Sequence, residues 1–191
     1  MATIQDATGN GFEAAVDSTN RLLVESVSLR SREEAVLLGV SYEIGTLQTL
    51  AVDTELALLY VKNNSERTLV IERFEFSGTA STGGAGNTMQ LTLYTDSTMT
   101  NGTASAAVNA NFASSLALEA DIEVGNGSTS TVSGGSPFGS SYITFEGASI
   151  FQGPWALPRG SQIVMAGTPP TGNTSMGFTV RMLTHLQRSD G

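Results

Sequence analysis

The chain has 191 residues, a formal net charge of −9, and 40% hydrophobic against 14% charged residues. That length suits one ordinary domain, or one domain with an arm, able to bury a core of its own, and the apolar share excludes global disorder. Nine basic residues, among them the lone lysine Lys62, cannot build a phosphate-binding surface, and the lack of cysteine excludes disulfides, thiolate zinc sites and cysteine nucleophiles. In chain order, Met1-Ala2-Thr3-Ile4-Gln5-Asp6 shows neither a basic n-region nor an apolar h-region, so no secretory signal is expected. No apolar run approaches the ~18 residues of a membrane span. Asn10-Gly11 and Asp17-Ser18-Thr19-Asn20 are turn signals around short strand candidates, Phe12–Val16 and Arg21–Leu29. Ser31 with Glu34 fits a capping box and Gly39 a helix C-cap, which suits one or two helical turns between them, with more strand as the alternative.

From residue 54 onward the pattern is β. Leu56–Lys62 is apolar on both faces and reads as a central strand. Thr68–Phe76 is its return strand, 77–87 a Gly-rich loop, and Met89, Leu91 and Leu93 alternate with polar residues. Leu116, Leu118, Ala120, Ile122 and Val124 share one parity, and Glu119, Asp121 and Glu123 the other, as in a half-buried strand with a wet acidic face. Residues 125–141 read as a second loop, and Tyr142–Glu146 and Ser161–Ala166 as strands. Leu157-Pro158-Arg159-Gly160-Ser161 reads as a fixed turn. In the last strand Met176, Phe178, Val180 and Met182 face inward. The expected fold is all-β: an antiparallel, jelly-roll-like β-sandwich over 51–191, with a barrel as the nearest competitor. An extended N-terminal arm and hairpin over 1–50 precedes it.

The chemistry-bearing residues are sparse. A Ser-His-Asp relay would need His185, the only histidine. No Gly-x-Ser-x-Gly elbow accompanies it, and its position on the face opposite the core residues reads as an exposed strand end. Asp53 with Glu55, and Glu119 with Asp121 and Glu123, could serve calcium, but no Asp-x-Asp-x-Asp-Gly loop exists, and the bland reading is a solvated acidic face. With 18 acidic residues, a carboxylate pair at glycosidase spacing carries no specificity. Gly83-Gly84-Ala85-Gly86 and Gly134-Gly135 lack the Lys-Ser/Thr and the helix of a phosphate loop. The sequons at Asn63, Asn101, Asn126 and Asn173 read as accidents of composition. No cofactor, metal or catalytic residue is expected. Trp155, flanked by Pro154 and Pro158, can plug the sandwich, anchor an interface or stack on sugar. Phe12, Leu22 and Val24 of the arm need cover, either from the chain's own sandwich or from a neighbouring subunit's open sheet edge. These three and Trp155 are the candidate subunit or capsid contacts.

Several segments resemble small virion structural proteins of tailed bacteriophages. They are Ala2-Thr3-Ile4-Gln5-Asp6-Ala7-Thr8-Gly9-Asn10-Gly11, Ala15-Val16-Asp17-Ser18-Thr19-Asn20-Arg21-Leu22, Ala57-Leu58-Leu59-Tyr60-Val61-Lys62-Asn63-Asn64 with Leu69-Val70-Ile71, Leu157-Pro158-Arg159-Gly160-Ser161, and Thr168-Pro169-Pro170-Thr171-Gly172-Asn173-Thr174-Ser175. The resemblance implies a β-sandwich similar to head decoration (cement) proteins, often trimeric on the capsid lattice. It implies a non-enzymatic role on the virion exterior after synthesis in the host cytoplasm, with the chain itself and the major capsid protein as partners. Direct contact with nucleic acid or membrane is not expected. A collar, vertex or tail position, including a carbohydrate-binding adhesion module, is the alternative. The resemblance contains no site, so it assigns no residue a role.

Overall fold

The computed structural model describes residues 3–5, 13–15, 35–86, 88–144 and 149–187. The chain divides into two compact units, Met1–Arg30 and Ser31–Gly191. In the first, β1 (Thr3–Gln5) pairs antiparallel with β2 (Glu13–Ala15), Ile4 opposite Ala14. The expected turns, the strand expected over Arg21–Leu29, and Phe12, Leu22, Val24, Ser31 and Glu34 lie outside the described residues.

The second unit opens on a helical turn at residues 35–37. Gly39 ends it at φ +69°, with Gly39 N–H donating to Val36 C=O and Val40 N–H to Ala35 C=O, both bonds of a Schellman cap. The strands follow: β3 (Ser41–Leu50), β4 (Leu56–Asn63), β5 (Leu69–Gly78), β6 (Thr88–Thr95), β7 (Thr98–Thr100), β8 (Thr103–Ala104), β9 (Val108–Asn109), β10 (Ala120–Val124), β11 (Thr131–Ser133), β12 (Ser136–Thr144), β13 (Ser149–Leu157), β14 (Gln162–Thr168) and β15 (Met176–Leu186).

They form a six-stranded sheet, β12-β6-β14-β4-β10-β8, and a five-stranded sheet, β13-β5-β15-β3-β9. β7 and β11 make a separate pair. The late strands β14 and β15 insert between early ones, β14 between β6 and β4, β15 between β5 and β3. With β8, β9 and β10 set aside as additions at one side, this is the strand order of a jelly roll built from two Greek keys. The sheets stay separate, so the chain adopts the sandwich rather than the barrel.

The core is segregated by side-chain type. The five-stranded sheet contributes stacked rings, Phe74 to Phe76 at 6.2 Å and Phe76 to Phe178 at 5.9 Å between centroids. The six-stranded sheet answers with Leu58, Leu59, Val61, Met89, Leu91, Leu93, Ile163 and Met165. β4 is central and buried on both faces, as its composition requires. Its register with β14 slips between Met165 and Ala166, so Leu58 and Leu59, although adjacent, both reach the main core. Ala57 and Tyr60 face the other way, into a smaller cluster with Val164 under Met99 of β7 and Val132 of β11.

Five strands differ from expectation. β3 lies between β15 and β9, inside the span expected to be arm, so the sandwich begins before residue 51. Its core face carries Tyr42, Ile44, Gln48 and Leu50 while Leu47 points to solvent, and polar residues on the inner parity hide the alternation. The 125–141 loop contains β11 and the start of β12, and β13 runs through Gly153-Pro154. Both β12 and β13 are sheet edges, where one ladder of backbone bonds suffices and proline is tolerated at a bulge. The strand expected from Leu116 begins its pairing only at Ala120.

Candidate functional site

His185 is not the exposed strand end expected: it is buried, with Nδ1 3.0 Å from Oε1 of Glu72. The cause is tertiary. β15 continues to Leu186, and the register between β15 and β5 shifts at Glu72, between the Leu183–Arg73 and Thr184–Ile71 pairs. Ser41 lies directly opposite His185 on β3, which brings a serine, the histidine and a carboxylate to one face of the sheet. Spacing along the chain gives no hint of this trio. It lacks the features of a hydrolytic relay. Ser41 is fully buried, and its hydroxyl donates to the Thr184 carbonyl rather than to the imidazole.

The carboxylates serve local bonds. Asp53 accepts from Gly172 N–H at 2.8 Å, and Glu55 accepts from the Tyr94 hydroxyl at 2.9 Å. Asp121 sits opposite Lys62, and Glu123 opposite Tyr60. Burial first, then Asp121 and Glu123, push the Tyr60 phenol above its usual range. Among the described residues no three His, Asp or Glu side chains are grouped to hold a metal ion.

The Gly83–Gly86 loop is stapled to residues 171–175 through Ala85 N–H to Thr171 C=O, Thr82 N–H to Ser175 C=O, and Ser81 Oγ to Asn173 Oδ1 at 2.6 Å. The Ala85 amide of the loop and the Thr82 amide just before it are therefore committed within the chain rather than offered to a phosphate. Two of the sequon asparagines are buried structural parts. Asn63 Nδ2 donates to the carbonyls of Arg67 and Leu157, and Asn173 Nδ2 to those of Leu50 and Val52. Neither amide nitrogen is open to a glycan.

Trp155 is partly buried, its ring 5.7 Å from Phe74 and 5.3 Å from Phe151, at the β13 end of the core. Phe12, Leu22 and Val24, the other expected contact residues, lie outside the described residues.

Large exposed apolar side chains gather elsewhere, where the helical turn meets the β9 edge. Phe112 is 91% exposed, and Leu37, Leu38, Val108 and Leu116 are each more than half exposed. Asparagine side chains fix this platform. Asn109 Nδ2 donates to Gly39 C=O at 2.7 Å and to Leu116 C=O at 2.9 Å, while Asn109 Oδ1 accepts from Asn111 N–H. Asn111 Oδ1 in turn accepts from Ala113 N–H, closing the turn that carries Phe112. Beside Phe112 is a hollow of about 340 Å³ walled by Val36, Val108 and Ala110, with Glu43 and Arg181 on its sheet side. Arg181 pairs with Glu43 and Glu75, and Glu75 with Arg73, a network of two acids and two bases on the outer face of the five-stranded sheet. Sequence periodicity missed the platform because 105–118 has no regular alternation, and its lack of charge is shared with 124–145. A second, looser group is Phe138 and Tyr142 of β12 and Ile150 of β13.

No known family model matches the chain, and no curated protein matches it significantly.

Proposed function

We propose that the chain is a non-enzymatic structural protein of a tailed-phage particle, a decoration protein on the capsid exterior that binds and bridges capsid subunits, most simply as a homotrimer. The observation that carries this reading is the contrast within one jelly roll. His185, Asp53, Glu55 and the buried asparagines are tied into the frame, while a rigid platform of large apolar side chains stands in solvent. Exposed apolar groups of this size mark interaction surfaces. Many copies on a lattice would multiply a modest contact. The acid excess suits a surface away from packaged DNA. The resemblance in the N-terminal segment and the Pro-Arg-Gly turn adds the phage particle as the setting.

Antibody-gold labelling of intact particles tests this. Label over the whole head is the expected result; label restricted to a vertex or the tail moves the protein to the collar or adsorption apparatus, and unlabelled particles overturn the reading. Deleting residues 1–24 and measuring capsid occupancy tests the arm, since unchanged occupancy removes Phe12, Leu22 and Val24 as docking elements.

One observation favours a second reading, a carbohydrate-binding module at a vertex or tail. Tyr142 is 71% exposed and lies opposite Gln90 on the outer face of the six-stranded sheet. An aromatic face beside an amide is a sugar-binding arrangement. A glycan array without binding disposes of it.

A further inference from the structure

We propose that the Phe112 platform is a self-contact: the Phe112 ring of one copy of this chain enters the hollow beside Phe112 on a second copy. The contact bears on the self-association part of the reading above and not on its particle part.

Shape is the first argument. A projecting ring and a hollow of about 340 Å³, apolar at Val36, Val108 and Ala110 and polar at Asn109, Glu43 and Arg181, lie side by side on one surface. An apolar cavity of roughly 150 Å³ already holds a benzene ring, so the hollow has room for the phenyl group. A surface that carries both knob and hole complements a copy of itself, either about a two-fold axis or around a closed ring. A single knob facing an unrelated partner would leave the hollow empty.

Charge is the second. The chain carries −9, so two copies repel unless they meet through neutral surface. The platform meets this condition, as does the uncharged β12 face with Phe138 and Tyr142, but the platform alone of the two has the hollow beside its ring. Residues 105–118 contain no charged residue, and neither do residues 35–42. The charged groups next to the hollow are Glu43 and Arg181, part of the balanced network with Glu75 and Arg73. The acid excess lies along β10, where Asp121 and Glu123, with Glu119 just before it, outnumber Lys62.

Preorganisation is the third. The asparagine bonds hold the Phe112 turn before any partner arrives, so little backbone ordering is left for association. A Phe side chain buries roughly 150–250 Å², and with its four aliphatic neighbours the patch is on the order of a few hundred Å², the size at which exposed apolar surface marks a contact.

The test is sedimentation velocity of the full chain across a range of concentrations, with Phe112→Ser, Ala110→Arg and Tyr142→Ser beside it and circular dichroism confirming each fold. The expected result is a dimer or closed ring for the unaltered chain and for Tyr142→Ser. Phe112→Ser, which removes the knob, and Ala110→Arg, which fills the hollow, should both be monomers with unchanged dichroism. An unaltered chain that stays monomeric at every concentration overturns the proposal, as does a Phe112→Ser chain that assembles normally. Loss of assembly in Tyr142→Ser places the contact on the other face and overturns it too. Gold labelling of particles stands or falls separately, because a monomer can also occupy a capsid.

Discussion

Asn63 shows what one buried amide does at the corner between β4 and β5. Its Nδ2 donates to two carbonyls at 2.8 Å and its Oδ1 accepts from Ser65 N–H at 3.0 Å, so three backbone groups depend on it. Leaving buried polar groups unpaired costs 1–3 kcal/mol each, and partial rescue by water lowers the sum. Asn63→Ala should therefore lose about 3 kcal/mol in urea unfolding, with m unchanged; a loss under ~1 kcal/mol would show that water replaces the amide. Tyr60 carries a pH prediction. Its proton is held more tightly in the folded chain than at the ordinary value of 10.0, because burial and then Asp121 and Glu123 disfavour the phenolate. A folded-state value raised above the unfolded one gives stability that is complete below pH 10 and is lost as pH climbs through the raised value. Tyr60→Phe should flatten the fall in stability above pH 10, read from urea midpoints across an alkaline series. At pH 7 it forfeits the bond to Gln162.

At the scale of elements, the edges decide how this sandwich avoids its own kind. β12 and β13, the long edges, each carry a proline at a register slip, between Pro137 and Gly139 and between Gln152 and Trp155. The opposite edges, β8 and β9, are two residues each. Short or bulged edges cannot template a further strand, so association by edge pairing is disfavoured and side-chain platforms are left to do it. Pro137→Val should restore a donor and a straighter edge, and so raise concentration-dependent light scattering at 37 °C; no rise would mean the bulge alone protects β12. The same elements show which strands were legible. β4, β6 and β15 were read correctly because both faces, or one clean parity, are apolar. The start of β12 and all of β13 escape the pattern because an edge strand needs little apolar burial, and a Ser-, Gly- and Pro-rich segment qualifies once a neighbour supplies the ladder. β3 was missed because Gln48 is inside, donating to Leu58 C=O at 2.8 Å, and Leu47 is outside.

At the scale of the molecule, the topology sets the folding speed. β3 closes against β15, so Ser41 meets His185 only when almost all of the second unit has been gathered. Sandwiches dominated by such pairings fold in milliseconds to seconds. Trp155, the only tryptophan, reports the docking of β13 on β5 through its packing on Phe74 and Phe151. Stopped-flow fluorescence should show a main refolding phase slower than about 1 ms; a microsecond phase would contradict the long-range closure. Sequence alone carried the all-β class, the inward parity of the last strand and the scarcity of histidine and cysteine, because period, turn residues and composition are local properties; the choice of sandwich over barrel needed the sheet pairing. Only the tertiary structure decided that Ser41, His185 and Glu72 share a buried face, that Asn63 and Asn173 are frame rather than surface, and that five apolar side chains from two distant segments form one platform. Those outcomes depend on which strands become neighbours, and strand pairing is settled by the closure of the whole sandwich.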